Sequence, residues 1–254
     1  MLSRGNRALR AYDQGMVDID LTARAAVVGG SQPLRGILET PDSPGPWPGV
    51  VMIHEAFGLD DVMRRQAQRL AAAGFLTLAV DLYSAGGARR CLVPTMTAML
   101  RGQGRPFTDI EVARNWLVES EDCTGKIGVI GFCMGGGFAL ISAGGFDVAS
   151  VNYGQLPRKL DAAVADSCPV VGSFGGKDVT LRGAAPKLET ALNKAGVEHD
   201  IKEYPTAGHA FLNDTEAGPK VLRPLERILG MGPDPVAAED AWKRIDSFFD
   251  RHLR

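Results

Sequence analysis

The chain has 254 residues, 45% of them hydrophobic and 23% charged, with a formal net charge of −2. That length suits one large α/β domain or two small ones. The charge balance gives no sign of a nucleic-acid or membrane-surface partner, and no apolar run approaches the roughly 18 residues of a membrane span.

Residues 1–14 read as a polar arm, and 15–254 show no internal repeat or domain boundary, so one domain is expected there. The N-terminus is positively charged with no apolar segment behind it, so no signal peptide is read. Met16–Val28 alternates loosely, Gly29-Gly30 is a good turn, and Leu34–Leu38 is a second strand; together they predict an N-terminal hairpin. Gly49–His54 is a continuous apolar strand, as in a sheet covered on both faces. A helix follows with Val62, Met63, Ala67, Leu70 and Ala71 on one face and Gly74 closing it. Phe75–Val80 is the next strand, ending in Asp81-Leu82-Tyr83. Ser84–Phe107, rich in Gly and Arg, is expected as a long loop, and Thr108–Glu111 as a capping box opening a helix that buries Trp116 and Leu117.

Lys126–Ile130 is a buried strand, followed by Gly131-Phe132-Cys133-Met134-Gly135 and a helical stretch from Gly137. Further strands are predicted at Val148–Tyr153, Pro169–Phe174 and Glu198–Tyr204, and a helix at Ala184–Ala195. After a Pro/Gly-punctuated segment over 213–235, a final helix buries Ala238, Ala241, Trp242, Ile245, Phe248 and Phe249. Alternating strands and helices imply an α/β fold, a mostly parallel central sheet with helices on both faces.

Strand, tight Gly-x-Cys-x-Gly turn and helix make a nucleophile elbow. Gly131 and Gly135 let the two backbones approach, and the N–H of Met134 lies at a helix N-terminus, where an oxyanion is favoured. The spacing is not G-x-G-x-x-G, and no acid ends the next strand, which argues against a dinucleotide site. In such a sheet, functional groups collect at the carboxyl ends of strands. Listed by strand end, Cys133, Asp178 and His209 appear in the order nucleophile, acid, histidine expected of an α/β-hydrolase. His209 would take the thiol proton of Cys133 or partner its thiolate, and Asp178 would fix the tautomer and stabilise imidazolium. The second oxyanion donor would come from the loop after the first long strand, at Ala56. Cys91, Cys123 and Cys168 show no CxxC or metal spacing and read as packing or surface residues, so no metal and no cofactor are expected, in a reduced cytoplasmic setting. His199 and His252 read as surface residues.

These residues resemble the dienelactone hydrolase family of α/β-hydrolases, from about Leu34 to the final helix. The marks are His54-Glu55-Ala56-Phe57-Gly58, Asp81-Leu82-Tyr83, Gly131-Phe132-Cys133-Met134-Gly135-Gly136, Gly176-Lys177-Asp178 and Gly208-His209-Ala210-Phe211. The resemblance implies a cysteine-dependent hydrolase of small esters or lactones, acting through an acyl-thioenzyme, with Glu55 contacting the resting thiol. It supports Ala56 in the oxyanion hole and places Tyr83 and Phe57 at the substrate pocket. It also implies two arginines for a substrate carboxylate, at positions held here by Ala85 and Asn213. Arg89 and Arg90 are the candidates to replace them; otherwise the substrate is an ester, lactone or thioester without that carboxylate. The alternative is a non-hydrolytic binding or thiol redox-sensing protein on the same fold. With no coiled coil or apolar edge in the sequence, a monomer is expected.

Overall fold

Apolar residues on both sides of successive strands build a sheet that must be covered twice. A computed structural model describes residues 16–218 and 230–254. The expected arm over 1–14 lies outside the described residues, as does 219–229 of the punctuated segment. The strands are β1 (Met16–Asp20), β2 (Arg35–Glu39), β3 (Trp47–Ile53), β4 (Leu76–Asp81), β5 (Cys123–Phe132), β6 (Val148–Asn152), β7 (Val170–Gly175) and β8 (His199–Tyr204). They form an eight-stranded sheet in the order β1-β2-β4-β3-β5-β6-β7-β8. The β1–β2 and β2–β4 pairs are antiparallel and the rest parallel.

The helices are α1 (Thr22–Val28), α2 (Asp61–Ala72), α3 (Ala88–Arg101), α4 (Arg105–Val118), α5 (Met134–Ser142), α6 (Leu160–Val164), α7 (Ala184–Ala195) and α8 (Pro235–Leu253). Two cores flank the sheet, and the strands alternate between them. Val51 and Ile53 of β3, with Ile127 and Val129 of β5, face the core shared with α1, α3, α4, α5 and α7. Val50, Met52, Ile130 and Phe132 face the core shared with α2 and α8. This period-two sorting is why β3 reads as uninterrupted apolar sequence.

Four expectations are corrected. The N-terminal strands do pair antiparallel, but α1 intervenes, and Gly29 (φ 79°) is its C-cap rather than a hairpin turn. Ala25 is fully buried, which rewards a helical turn there over a continued strand. The Ser84–Phe107 segment is mostly α3, with Pro94 inside it. Proline breaks the usual helix signal, yet Thr95 and Met99 are buried and hold the helix against the core. Helix α4 starts at Arg105, with Gly104 as N-cap and a proline in its first turn, not at a Thr108 capping box. Asp109 instead reaches out of α4, accepting from Ser31 N (2.7 Å) and Ser31 Oγ (2.6 Å). In α8, Ala237 is buried and Ala238 only partly so.

Candidate active site

The turn after β5 has almost no free space. A Cβ on Gly131 would stand 1.9 Å from Gly135 O, and one on Gly135 would stand 2.2 Å from Ile53 O. Only glycine permits this approach, and it forces Cys133 into φ 53°, ψ −116°, a strained conformation for a non-glycine residue. Cys133 N–H donates to Asn152 O at 3.0 Å, tying the turn to β6. The result projects the thiol beyond the sheet at the N-terminus of α5, partly exposed.

His209 arrives from the loop after β8 and Asp178 from the loop after β7. His209 Nδ1 lies 2.5 Å from Asp178 Oδ2. The other oxygen of Asp178 accepts from Thr180 N (2.9 Å) and Thr180 Oγ1 (2.6 Å). Burial alone would raise the Asp178 pKa, but the bonds from His209 and Thr180 override it and hold the carboxyl below its ordinary value. Burial likewise opposes charge on His209. Its hydrogen bond to Asp178 and the nearby Cys133 side chain outweigh it and push the imidazole up to about 10. His209 and Asp178 thus form a hydrogen-bonded chain, and His209 and Cys133 border one cavity.

Glu55, after β3, is buried beside this chain. Its Oε1 accepts from Tyr153 Oη (3.2 Å), and Asn213 Nδ2 donates to both carboxylate oxygens (3.3 and 3.2 Å). Among the described residues it makes no hydrogen bond to Cys133. Burial raises its pKa, and the nearby His209 charge and the Asn213 amide only partly offset this. The asparagine that takes the place of an expected arginine is therefore a partner of Glu55. Ala85 lines a different groove altogether.

The cavity at Cys133 has a volume of about 100 Å³. Phe57, Ala210, Ala217 and Met231 give it apolar walls, with Glu55, His209, Asn213 and Glu216 as its polar ones. Its described lining holds no lysine or arginine. Among the described residues, the N–H groups of Met134 and Ala56 donate to no other group.

Tyr83 stands behind the wall rather than in it: buried, with its hydroxyl donating to Ala56 O at 3.1 Å. Arg89 and Arg90 do not join the cavity. Both are exposed on the first turn of α3, and Arg90 lines the separate groove with Arg101 and Arg105. No group of three or more His, Cys, Asp or Glu able to hold a metal occurs among the described residues.

The family model for the dienelactone hydrolase family matches residues 34–253. The chain belongs to the dienelactone hydrolase family. It is 29% identical to a carboxymethylenebutenolidase of Rhodococcus opacus over 219 residues, 80% of this chain and 81% of that one. The fold is the α/β-hydrolase fold. A dienelactone hydrolase-like promiscuous phosphotriesterase from metagenomic libraries superposes with TM-score 0.78 at 23% identity, covering 94% of this chain and 100% of that one. A dienelactone hydrolase from Anabaena variabilis superposes with TM-score 0.67 at 21% identity, covering 95% and 100%.

Tyr153 and Thr180 escape a sequence reading of this family member. Tyr153 directly follows β6, and the strand-end rule covers it; attention to acids alone passes over it. It is fully buried at φ 40°, with its ring 5.2 Å from that of His209. Thr180, two residues beyond Asp178, has no sequence mark.

Proposed function

We propose that this protein hydrolyses small neutral esters or lactones, with Cys133 as nucleophile, His209 as proton carrier and Asp178 as its orienting partner. The observation that carries the reading is a cysteine on a strained strand–helix turn, backed by a buried histidine–carboxylate pair. The Cys133 thiol proton passes to His209 Nε2 as the sulfur adds to the acyl carbon and the carbonyl π pair moves to oxygen, where the N–H groups of Met134 and Ala56 receive it. Collapse expels the leaving oxygen, which takes a proton from His209, and leaves a thioester. Water then gives its proton to His209 and adds to the thioester. The second collapse returns Cys133 and releases the acid.

Glu55 sits next to this chain, held by Asn213 and Tyr153. In this reading it is a buried carboxyl that sets the local charge against His209. A narrow cavity walled by Phe57, Ala210, Ala217 and Met231 suits a short apolar acyl group. Among the described residues its lining offers no cation to a second carboxylate, which argues for neutral substrates.

The test is a paired assay on p-nitrophenyl acetate and a cis-dienelactone carrying a carboxylate. The expected result is turnover of the acetate with kcat/KM for the dienelactone at least tenfold lower. Efficient dienelactone turnover would overturn the neutral-substrate part, and turnover of neither would overturn the hydrolase reading.

A further inference from the structure

The end of β3 carries a histidine that the proposed chemistry does not use. His54 is fully buried, directly before Glu55. Its Nδ1 lies 2.6 Å from the backbone oxygen of Glu55, and its Nε2 lies 3.1 Å from Leu82 N at the end of β4. These partners fix the ring's state. A carbonyl oxygen can only accept, so Nδ1 carries the proton. A backbone N–H can only donate, so Nε2 presents its lone pair. Full burial disfavours a second proton, in the same sense. The ring packs edge-on against Tyr83 at 4.7 Å between centroids.

The carbonyl that His54 grips belongs to the peptide unit joining Glu55 to Ala56. The N–H of that unit is the Ala56 donor, and in a trans peptide it points opposite to the carbonyl. Holding the oxygen therefore aims the N–H. A hydrogen bond at the oxygen also polarises the amide and makes its N–H a better donor. Gly58 N–H adds a second bond to the same oxygen at 3.2 Å, and Tyr83 Oη holds the next carbonyl, Ala56 O, at 3.1 Å. Both carbonyls flanking the donor are thus pinned, and the His54 ring anchors the loop to the end of β4.

We propose that His54 is a positioning residue for the oxyanion hole: as the neutral Nδ1–H tautomer it orients and polarises the Glu55–Ala56 peptide whose N–H receives the developing oxyanion. The inference rests on the Cys133 reading above. It differs from a packing role in one respect: only the Nδ1–H bond to Glu55 O should matter to oxyanion binding, and the Nε2 bond to Leu82 should not.

Two substitutions separate these bonds. The amide of asparagine can place a donor near the Nδ1 position, and that of glutamine can place an acceptor near the Nε2 position. His54→Asn keeps the donor to Glu55 O; His54→Gln keeps the acceptor for Leu82 N–H and loses that donor. The readouts are ester kcat, covalent uptake of an alkyl trifluoromethyl ketone followed by fluorine NMR, and the rate of Cys133 alkylation by iodoacetamide. Addition of the thiolate to the ketone forms a C–S bond and moves the π pair onto oxygen, so its affinity reports oxyanion binding. Alkylation displaces iodide and forms no oxyanion.

A full oxyanion donor is worth about 10²- to 10³-fold in kcat. His54→Gln is therefore expected to lower kcat and ketone affinity together by roughly tenfold or more, with alkylation unchanged. His54→Asn should stay within about threefold of the parent on all three, on the same scale. Equal losses in both variants, or a fall in alkylation matching the fall in kcat, would overturn the proposal. If the parent takes up the ketone but turns over no ester, the hydrolase reading fails while the ketone comparison still decides the role of His54. If the parent takes up no ketone, both fall.

Discussion

At the scale of single residues, the site combines two carboxyl groups pushed in opposite directions. Asp178 is held below its ordinary value by His209 and Thr180 despite burial, and Glu55 is raised by burial. Their effects on stability have opposite signs. Asp178 contributes stability above about pH 3.8 that is lost as pH falls through its native pKa. A carboxyl with a raised pKa costs stability as pH climbs past about 4.5, where it ionises more readily in the unfolded chain. His209 adds stability that is complete below about pH 6.5 and gone above about 10. Glu55→Gln removes only the second contribution. Melting temperatures of parent and variant should therefore draw apart in the variant's favour as pH rises from 4 to 8. A gap that shrinks or reverses over that range would show that the ionised carboxylate stabilises the fold. Cys133, Asp178 and His209 were legible because their residue types are diagnostic and their order along the chain is informative. Tyr153, Thr180 and the donor role of Asn213 were not, because each matters only through a partner brought near by folding.

Among the elements, the strand-to-helix turn carries the site. A Cβ at Gly131 would meet the Gly135 backbone, which cannot move without breaking the elbow. Gly131→Ala is expected to cost more than about 4 kcal/mol, in the range of severe core defects, or to prevent folding. Gly145→Ala, where nothing lies within 4 Å of an added Cβ, should stay within about 0.5 kcal/mol of the parent. Urea titration of both variants checks the pair, and equal stabilities would refute the steric account of the turn. Helix α3 makes the opposite case. Its proline and its Gly/Arg-rich surroundings read as a loop, and the packing of Met99 and Thr95 decides otherwise. Because Arg89 and Arg90 sit on its exposed first turn, Arg89→Ala and Arg90→Ala together should leave kcat/KM for a short neutral ester within about twofold, as for surface changes generally. A loss of tenfold or more would place one of them at the substrate.

For the whole molecule, the mostly parallel sheet explains why scattered residues become one site. Glu55, Tyr83, Cys133, Tyr153, Asp178 and His209 follow β3 to β8 in turn, and parallel strands bring their carboxyl ends to one edge. That arrangement was readable because buried parallel strands show as continuous apolar runs separated by helices. The α1 insertion between β1 and β2 was not, since a short helix and an irregular strand leave similar marks over seven residues. The central claim is that Cys133 carries the acyl group, and intact-mass spectrometry after rapid acid quench with p-nitrophenyl acetate tests it most directly. The account predicts an added acetyl mass on Cys133 in the parent within the first turnover, and neither that mass nor significant turnover in Cys133→Ala. Turnover by Cys133→Ala at most of the parental rate, with no acetyl mass on the parent's Cys133, would contradict it.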